Sequence, residues 1–174
     1  LHQSGITVAH SFDIRERISF YEKLCRSHGA LLFEDYEEVK GWMDWLMDTL
    51  DSMERPKCLC HIDANVDNFL FFEDGSVKLL DWEYAGMCDP VMDVSMCAIY
   101  SYYNEEDMER LFRLYLRREP SEDELFALYA NAALGGFLWC LWAVYKSILG
   151  DEFGEYTIIM YRYAKKYYRK LRKL

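Results

Sequence analysis

The sequence contains neither G-x-G-x-x-G nor G-x-x-x-x-G-K-[ST], so it carries neither of the glycine-rich loops that cradle nucleotide phosphates. Nor does it contain a C-x-x-C pair. Its six cysteines (Cys25, Cys58, Cys60, Cys88, Cys97, Cys140) are scattered, most of them among apolar neighbours. That pattern gives no disulfide framework and makes a zinc site a poor expectation. Free thiols acting as small hydrophobes in a reducing, cytoplasmic setting are expected instead. No uninterrupted apolar run reaches the roughly 18 residues of a membrane span, so no transmembrane helix is expected. Internal repeats and low-complexity linkers are also missing. Leu1-His2-Gln3-Ser4 is neither a signal peptide nor a normal start at Met, and an excised segment is expected. Positive charge is in deficit: 20 Lys and Arg against 30 Asp and Glu, a net of −10. A general nucleic-acid role is therefore not expected.

What is present is a core. With 174 residues, 52% of them hydrophobic and 17% aromatic, the chain reads as one ordered domain spanning 1–174. The charge is unevenly spread. Residues 161–174 hold seven Lys or Arg and no acid, which leaves 13 basic against 30 acidic residues, or −17, elsewhere. An acidic body favours a cationic ligand through its field, and it also favours solubility. Leu1–His10 read as an irregular entry and Trp82–Asp89 as a loop. Apolar residues at helical spacing predict helices over about Phe12–His28 (Ser11 as N-cap, Gly29 as stop), Asp35–Met53 (burying Val39, Trp42, Met43, Leu46 and Leu50), Val91–Tyr102, Glu105–Arg118 (with Met108, Leu111, Phe112, Tyr115 and Leu116 as its apolar face) and Glu155–Lys173. Ser121-x-x-Glu124 is a capping box opening a long helix to about Leu149. Gly135-Gly136 inside that helix suggests close backbone packing, with the hairpin described next as one candidate. The basic end of the last helix reads as a solvated face, with an anionic lipid or a partner as the alternative.

The stretch from Cys60 to Asp93 organises the rest. Two β-prone runs, Asn68–Phe72 and Val77–Leu80, flank Glu73-Asp74-Gly75-Ser76, a strong hairpin signal. His61, Asp63 and Asn68 precede the hairpin; Asp81 and Glu83 follow it. The ribbon therefore brings two sets of oxygen ligands, distant in sequence, to one end. His61-x-Asp63-x-x-x-x-Asn68 has the form H-x-D-x-x-x-x-N of kinase catalytic loops, in which the Asp handles the attacking hydroxyl and the Asn holds Mg²⁺. Asp81 is placed for the second magnesium ligand, and hard oxygens are what Mg²⁺ takes. Asp81-Trp82-Glu83 stands where protein kinases carry D-F-G.

H-I-D-A-N-V-D-N-F, then L-L-D-W-E-Y-A-G, then D-P-V-M-D resemble the aminoglycoside phosphotransferase and choline kinase superfamily, most closely bacterial choline kinases of the LicA type. The resemblance implies an α+β, mainly helical fold: the C-terminal lobe of a protein-kinase-like enzyme, with its small hairpin beside the catalytic loop. It also implies an N-terminal nucleotide lobe outside this chain, and a fragment inactive or nearly so alone. The implied reaction is Mg²⁺-dependent transfer of the ATP γ-phosphate to choline. Asp63 would orient the hydroxyl, with His61 more a brace for the loop than a proton carrier. Asn68 and Asp81 would hold Mg²⁺. Asp93, one turn into the next helix, would fix the loop, and Asp67 would cap the loop or meet a substrate cation.

Trp139-x-x-Trp142 places two indoles on one helical face, and the pair resembles the cation–π pocket of choline kinases. Tyr84 would add a substrate contact, and Glu83 would meet the substrate or the second metal. The small-molecule substrate is then choline or another amino alcohol. An aminoglycoside or ethanolamine kinase is the runner-up, and a non-catalytic choline-binding or interaction module is the alternative of another class. A lobe face normally covered by its partner lobe would also allow a homodimer.

Overall fold

Cooperating local signals divide the chain into elements. In the computed structural model, which describes residues 1–30 and 33–173, these are, in order, α1 (Ile14–Ser27), α2 (Tyr36–Asp51), β1 (Cys58–Cys60), a 3₁₀ turn (Val66–Asn68), β2 (Phe69–Phe71), β3 (Val77–Leu79), β4 (Gly86–Cys88), α3 (Val91–Tyr100), α4 (Glu105–Leu116), α5 (Glu122–Ile148) and α6 (Tyr156–Leu171). The architecture is mainly helical with two small antiparallel sheets. It divides into two compact units. One comprises Leu1–Phe12 with Arg55–Leu128, the other Asp13–Glu54 with Tyr129–Leu174.

The first unit holds both sheets. β2 and β3 pair Phe69 with Leu79 and Phe71 with Val77. Their turn closes through Gly75 at φ 80°, a left-handed backbone that glycine adopts without a Cβ penalty. The segment Trp82–Asp89, expected as a loop, contains β4, which pairs with β1 in the register Cys58–Cys88, Leu59–Met87, Cys60–Gly86. The entry segment, expected to be irregular to His10, lies along β4 at its end. Met87 N–H donates to His10 O at 3.1 Å, and Phe12 N–H donates to Met87 O at 3.2 Å. A Cβ on Gly86 would stand 2.7 Å from Phe12 N, so only glycine permits this approach. α3 is buried on nearly every side, and α4 buries Met108 and Phe112. Tyr115, expected on the apolar face of α4, is partly exposed. The expected capping box forms: Ser121 N–H donates to Glu124 Oε2 at 2.8 Å, and Glu124 N–H to Ser121 Oγ at 3.2 Å.

The second unit is helical. The N-cap of α1 is Asp13 rather than Ser11. The Asp13 carboxylate accepts from Arg15 N at 2.8 Å and Glu16 N at 3.2 Å, whereas Ser11 is engaged in a backbone bridge with Met87. α2 buries Val39, Met43 and Leu46 as expected, with Met47 added, while Trp42 and Leu50 are only half-buried. Gly136 packs on α6, not on the hairpin. A Cβ there would come within 2.6 Å of Met160 O and 3.0 Å of Tyr163 Cβ. The basic end of α6 is less a free solvated face than expected. Lys165 pairs with Asp35, Arg169 lies over Trp42 (5.6 Å) and Lys170 over Tyr129 (4.6 Å). The charged heads themselves lie over the aromatic rings in cation–π contact.

α5 is long and apolar enough to cross a membrane by length and composition. However, 83% of its most apolar stretch is buried inside the protein, which is the signature of a core helix. Its stretch Leu125–Tyr145 runs 21 residues without a charge, its apolar character interrupted by Asn131 and the glycine pair.

Two stability predictions follow from this packing. Gly136→Ala destabilises the chain by about 1–3 kcal/mol, because the added methyl meets backbone rather than a side chain able to move. Gly41→Ala in α2, where a Cβ meets nothing within 4 Å, stabilises by about 0.5–1 kcal/mol. Urea unfolding of both variants checks the opposite signs. The second concerns Glu124, whose carboxylate is held down at about 2, chiefly by hydrogen bonds from Arg118. Its contribution is complete above the unfolded glutamate value of about 4.3 and is lost as pH falls toward the folded value. The melting-temperature gap between wild type and Glu124→Gln is therefore flat above pH 5 and closes toward pH 2.

Candidate active site

β1 delivers the chain into the turn that begins at His61. Ile62 is fully buried yet has φ 72°, a left-handed conformation that a β-branched residue rarely adopts and that costs on the order of 1–3 kcal/mol. Asp93, in the first turn of α3, offsets that cost. Its Oδ2 accepts from His61 N at 2.8 Å and its Oδ1 from Ile62 N at 2.7 Å. One carboxylate thereby satisfies two consecutive buried N–H groups through charge-assisted hydrogen bonds.

Beyond this turn Asp63 is half-buried. The Asn68 amide nitrogen donates to Asp63 O at 3.0 Å and to Asp63 Oδ2 at 2.9 Å. The amide is thus oriented by its nitrogen, which leaves its carbonyl oxygen as the acceptor end. Asn65, the N-cap of the 3₁₀ turn, accepts from Asp67 N at 3.4 Å; Asp67 itself is exposed.

Leu80 joins loop and hairpin. Its N–H donates to Asn68 O at 2.9 Å, and its carbonyl accepts from His61 Nε2 at 2.7 Å. This fixes His61 as the Nε2–H tautomer, a bracing geometry, with the Trp82 ring edge-on at 4.7 Å. Asp81 follows Leu80 directly. It is exposed, at φ 56°, a conformation Asp tolerates better than most residues. One end of the hairpin therefore carries a half-buried carboxylate, an oriented amide oxygen and an exposed carboxylate. These are hard oxygen donors of the kind Mg²⁺ takes, alongside phosphate and water.

Glu83 is exposed and Tyr84 half-buried, both in the same unit as the loop. Trp139 and Trp142 lie in the second unit. Their rings meet edge-to-face at 6.0 Å, but Trp139 is only 3% exposed. Trp142 is half-buried, edge-on to Phe153 at 5.0 Å, with Lys146 Nζ 5.8 Å from its centroid. The aromatic pair forms as its spacing suggested, with an internal cation already over one ring.

Three contributors were not singled out from the sequence. His2 donates from or accepts at both ring nitrogens, Nε2 meeting Asp93 Oδ2 at 2.8 Å and Nδ1 meeting the Tyr115 hydroxyl at 3.0 Å. Arg55 pairs with Asp89 at 2.7 Å, both largely buried, which steadies the approach to α3. The left-handed turn at Ile62 is the third. An isolated His near the start of the chain carries no periodic signal; only the contact with Asp93 reveals its part.

The sequence matches the family described as the phosphotransferase enzyme family over residues 1–126. It is 25% identical over 167 residues to protein LicA of Haemophilus influenzae, covering 91% of this chain and 48% of that protein. Ethanolamine kinase 1 of Mus musculus is 26% identical over 151 residues, covering 71% and 42%. Among solved structures, choline kinase LicA from Streptococcus pneumoniae superposes with a TM-score of 0.83 at 27% identity, covering 97% of this chain and 59% of that one. The chain spans about half the length of the curated relatives it matches. The expected fold, the C-terminal lobe of a protein-kinase-like phosphotransferase, is the observed one. With a family match over most of its length and a loop of the H-x-D-x-x-x-x-N form braced by Asp93, this chain belongs to the phosphotransferase enzyme family.

Proposed function

We propose that this chain is the substrate- and metal-binding lobe of a small-molecule kinase that moves the γ-phosphate of ATP to the hydroxyl of choline. The observation that carries this reading is the double lock on the loop. Asn68 clasps Asp63, and His61 holds Leu80 so that Asp81 stands beside that loop.

In this reading the Asp63 carboxylate accepts a hydrogen bond from the substrate hydroxyl and aims its oxygen at the γ-phosphorus. As the new O–P bond forms and the bridging P–O bond to ADP breaks, the hydroxyl proton passes to Asp63. The Asn68 amide oxygen and the Asp81 carboxylate hold magnesium, which when bound neutralises phosphate charge. Asp93 acts at one remove, as a positioning residue. Val66, Leu70, Phe71, Phe72 and Val77 leave large apolar side chains exposed on and beside the hairpin, suited to cover by a nucleotide-bearing lobe. Without such a lobe the chain is inactive or nearly so.

Choline is favoured by the names of the relatives and by the Trp139–Trp142 pair. Ethanolamine or an aminoglycoside is the second reading. It draws on the burial of Trp139 and on Lys146 over Trp142, which leave less ring face for a quaternary ammonium, and on the exposed carboxylates of Glu83 and Asp67, which suit primary ammonium groups.

Tryptophan fluorescence of the chain titrated with choline, ethanolamine and kanamycin separates these readings. Saturable quenching by choline, lost in Trp142→Ala, is expected. A response to kanamycin alone moves the substrate to an aminoglycoside. In a protein carrying both lobes, Asp63→Asn lowers kcat by about 10²–10⁴-fold with KM and melting temperature little changed. Unchanged turnover there would reject phosphotransfer at this site in favour of a binding module. Asp93→Ala, by contrast, leaves two buried N–H groups without their acceptor and lowers stability by on the order of 2–4 kcal/mol, read by urea unfolding.

A further inference from the structure

Cys58 and Cys60 stand two apart on β1 and so project to the same face of the strand. Their sulfurs are 3.9 Å apart. Two metal–sulfur bonds of about 2.3 Å at a tetrahedral angle require a separation of about 3.8 Å, so the thiols already span one edge of a tetrahedral site. The imidazole of His2 completes a triangle: a ring nitrogen and the two sulfurs all lie within 4.8 Å of one another.

We propose that His2, Cys58 and Cys60 form a binding site for one thiophilic d¹⁰ cation, of which Zn²⁺ is the borderline-soft member. Four features favour a site over three unrelated core side chains. The ligand set is the imidazole-plus-thiolate chemistry that such ions select. Asp93 Oδ2, 2.8 Å from His2 Nε2, supplies the carboxylate that orients a metal-binding histidine. Nδ1 binds the ion and gives up its bond to the Tyr115 hydroxyl, while Nε2 keeps Asp93. The carboxylate of Asp93 lies near both thiols and opposes their ionisation, with Asp89 already paired to Arg55, and a bound cation offsets that opposition. Access exists as well: His2 and Cys58 are only half-buried, and His2, Asp93 and Tyr115 line an open hollow of about 670 Å³. The Tyr115 hydroxyl, 3.0 Å from His2 Nδ1, or a water takes the fourth position. Binding expels the two thiol protons to solvent, so the cation meets two thiolates and a neutral imidazole. The site uses none of the residues assigned to substrate or magnesium as ligands, and its existence does not depend on the phosphotransfer reading.

Titrating the purified chain, thiols reduced, with Cd²⁺ as a spectroscopic stand-in for Zn²⁺ tests the proposal. Thiolate-to-cadmium charge-transfer absorption saturating at one equivalent, and reversed by Zn²⁺, is the expected result. Cys58→Ser and His2→Gln each weaken binding by about 100-fold, since even changes behind the ligands cost about 10–100-fold. Cys25→Ser, far along the sequence and in the other unit, leaves it unchanged. Far-UV circular dichroism verifies that each variant is folded, and His2→Gln decides if Cys58→Ser is not. Absence of the charge-transfer band at one equivalent, or wild-type affinity in the folded variants, overturns the site.

Discussion

A single carboxylate holds the loop between β1 and the hairpin in shape. Ile62 sits in a backbone conformation that its own side chain disfavours, and nothing local to the loop repays that. Asp93 does so from a different element, taking the N–H groups of His61 and Ile62 on its two oxygens. Burial strengthens both bonds, because an unpaired N–H there has no water to turn to. His2 meets the same carboxylate from the far end of the sequence. Three segments separated by about ninety and thirty positions are thereby fixed around one side chain.

The rest of the site inherits its order from that turn. With His61 set, its Nε2–H reaches Leu80 O, and the hairpin is tied to the loop at its base. Asn68 then serves both strand and site, its backbone oxygen accepting from Leu80 and its side chain gripping Asp63. Such an arrangement presents oxygens at fixed places with little reorganisation left to do, which is what positioning and electrostatic stabilisation of phosphoryl transfer demand. The second unit rests on different physics. Aromatic rings on α2, α5 and α6 take the charges of a basic helix, and a glycine lets two helix backbones meet. Its net effect is a packed helical body in which few of the α6 cations are mere solvated charge.

Much of this was legible in the residues. Asp-Gly between two β-prone runs gave the hairpin; the Ser121–Glu124 pair and apolar spacing gave the helices; H-x-D-x-x-x-x-N gave the loop. These are local rules, acting over two to eight positions, and local rules survive folding when nothing nearby competes. Where they failed, a tertiary contact had won. Ser11 was drawn into a bridge with Met87, so capping passed to Asp13. Gly86-Met87-Cys88 became a strand because β1 and the entry segment supplied partners, although its own pattern is too short to declare one. Tyr115, stacked beside Phe112 on the apolar face of α4, stays partly exposed with its hydroxyl against His2.

The sequence by itself determined the elements, their order, the chemistry available at the hairpin end and the family, because these depend on residue type and short spacing. Only the tertiary structure decided which residues stand together: His2 with Asp93, Cys58 with Cys60 and His2, Gly136 with α6, and Lys146 with Trp142. These juxtapositions are settled by burial and by the need to pair every buried donor, both of which are properties of the folded chain as a whole rather than of any stretch of it.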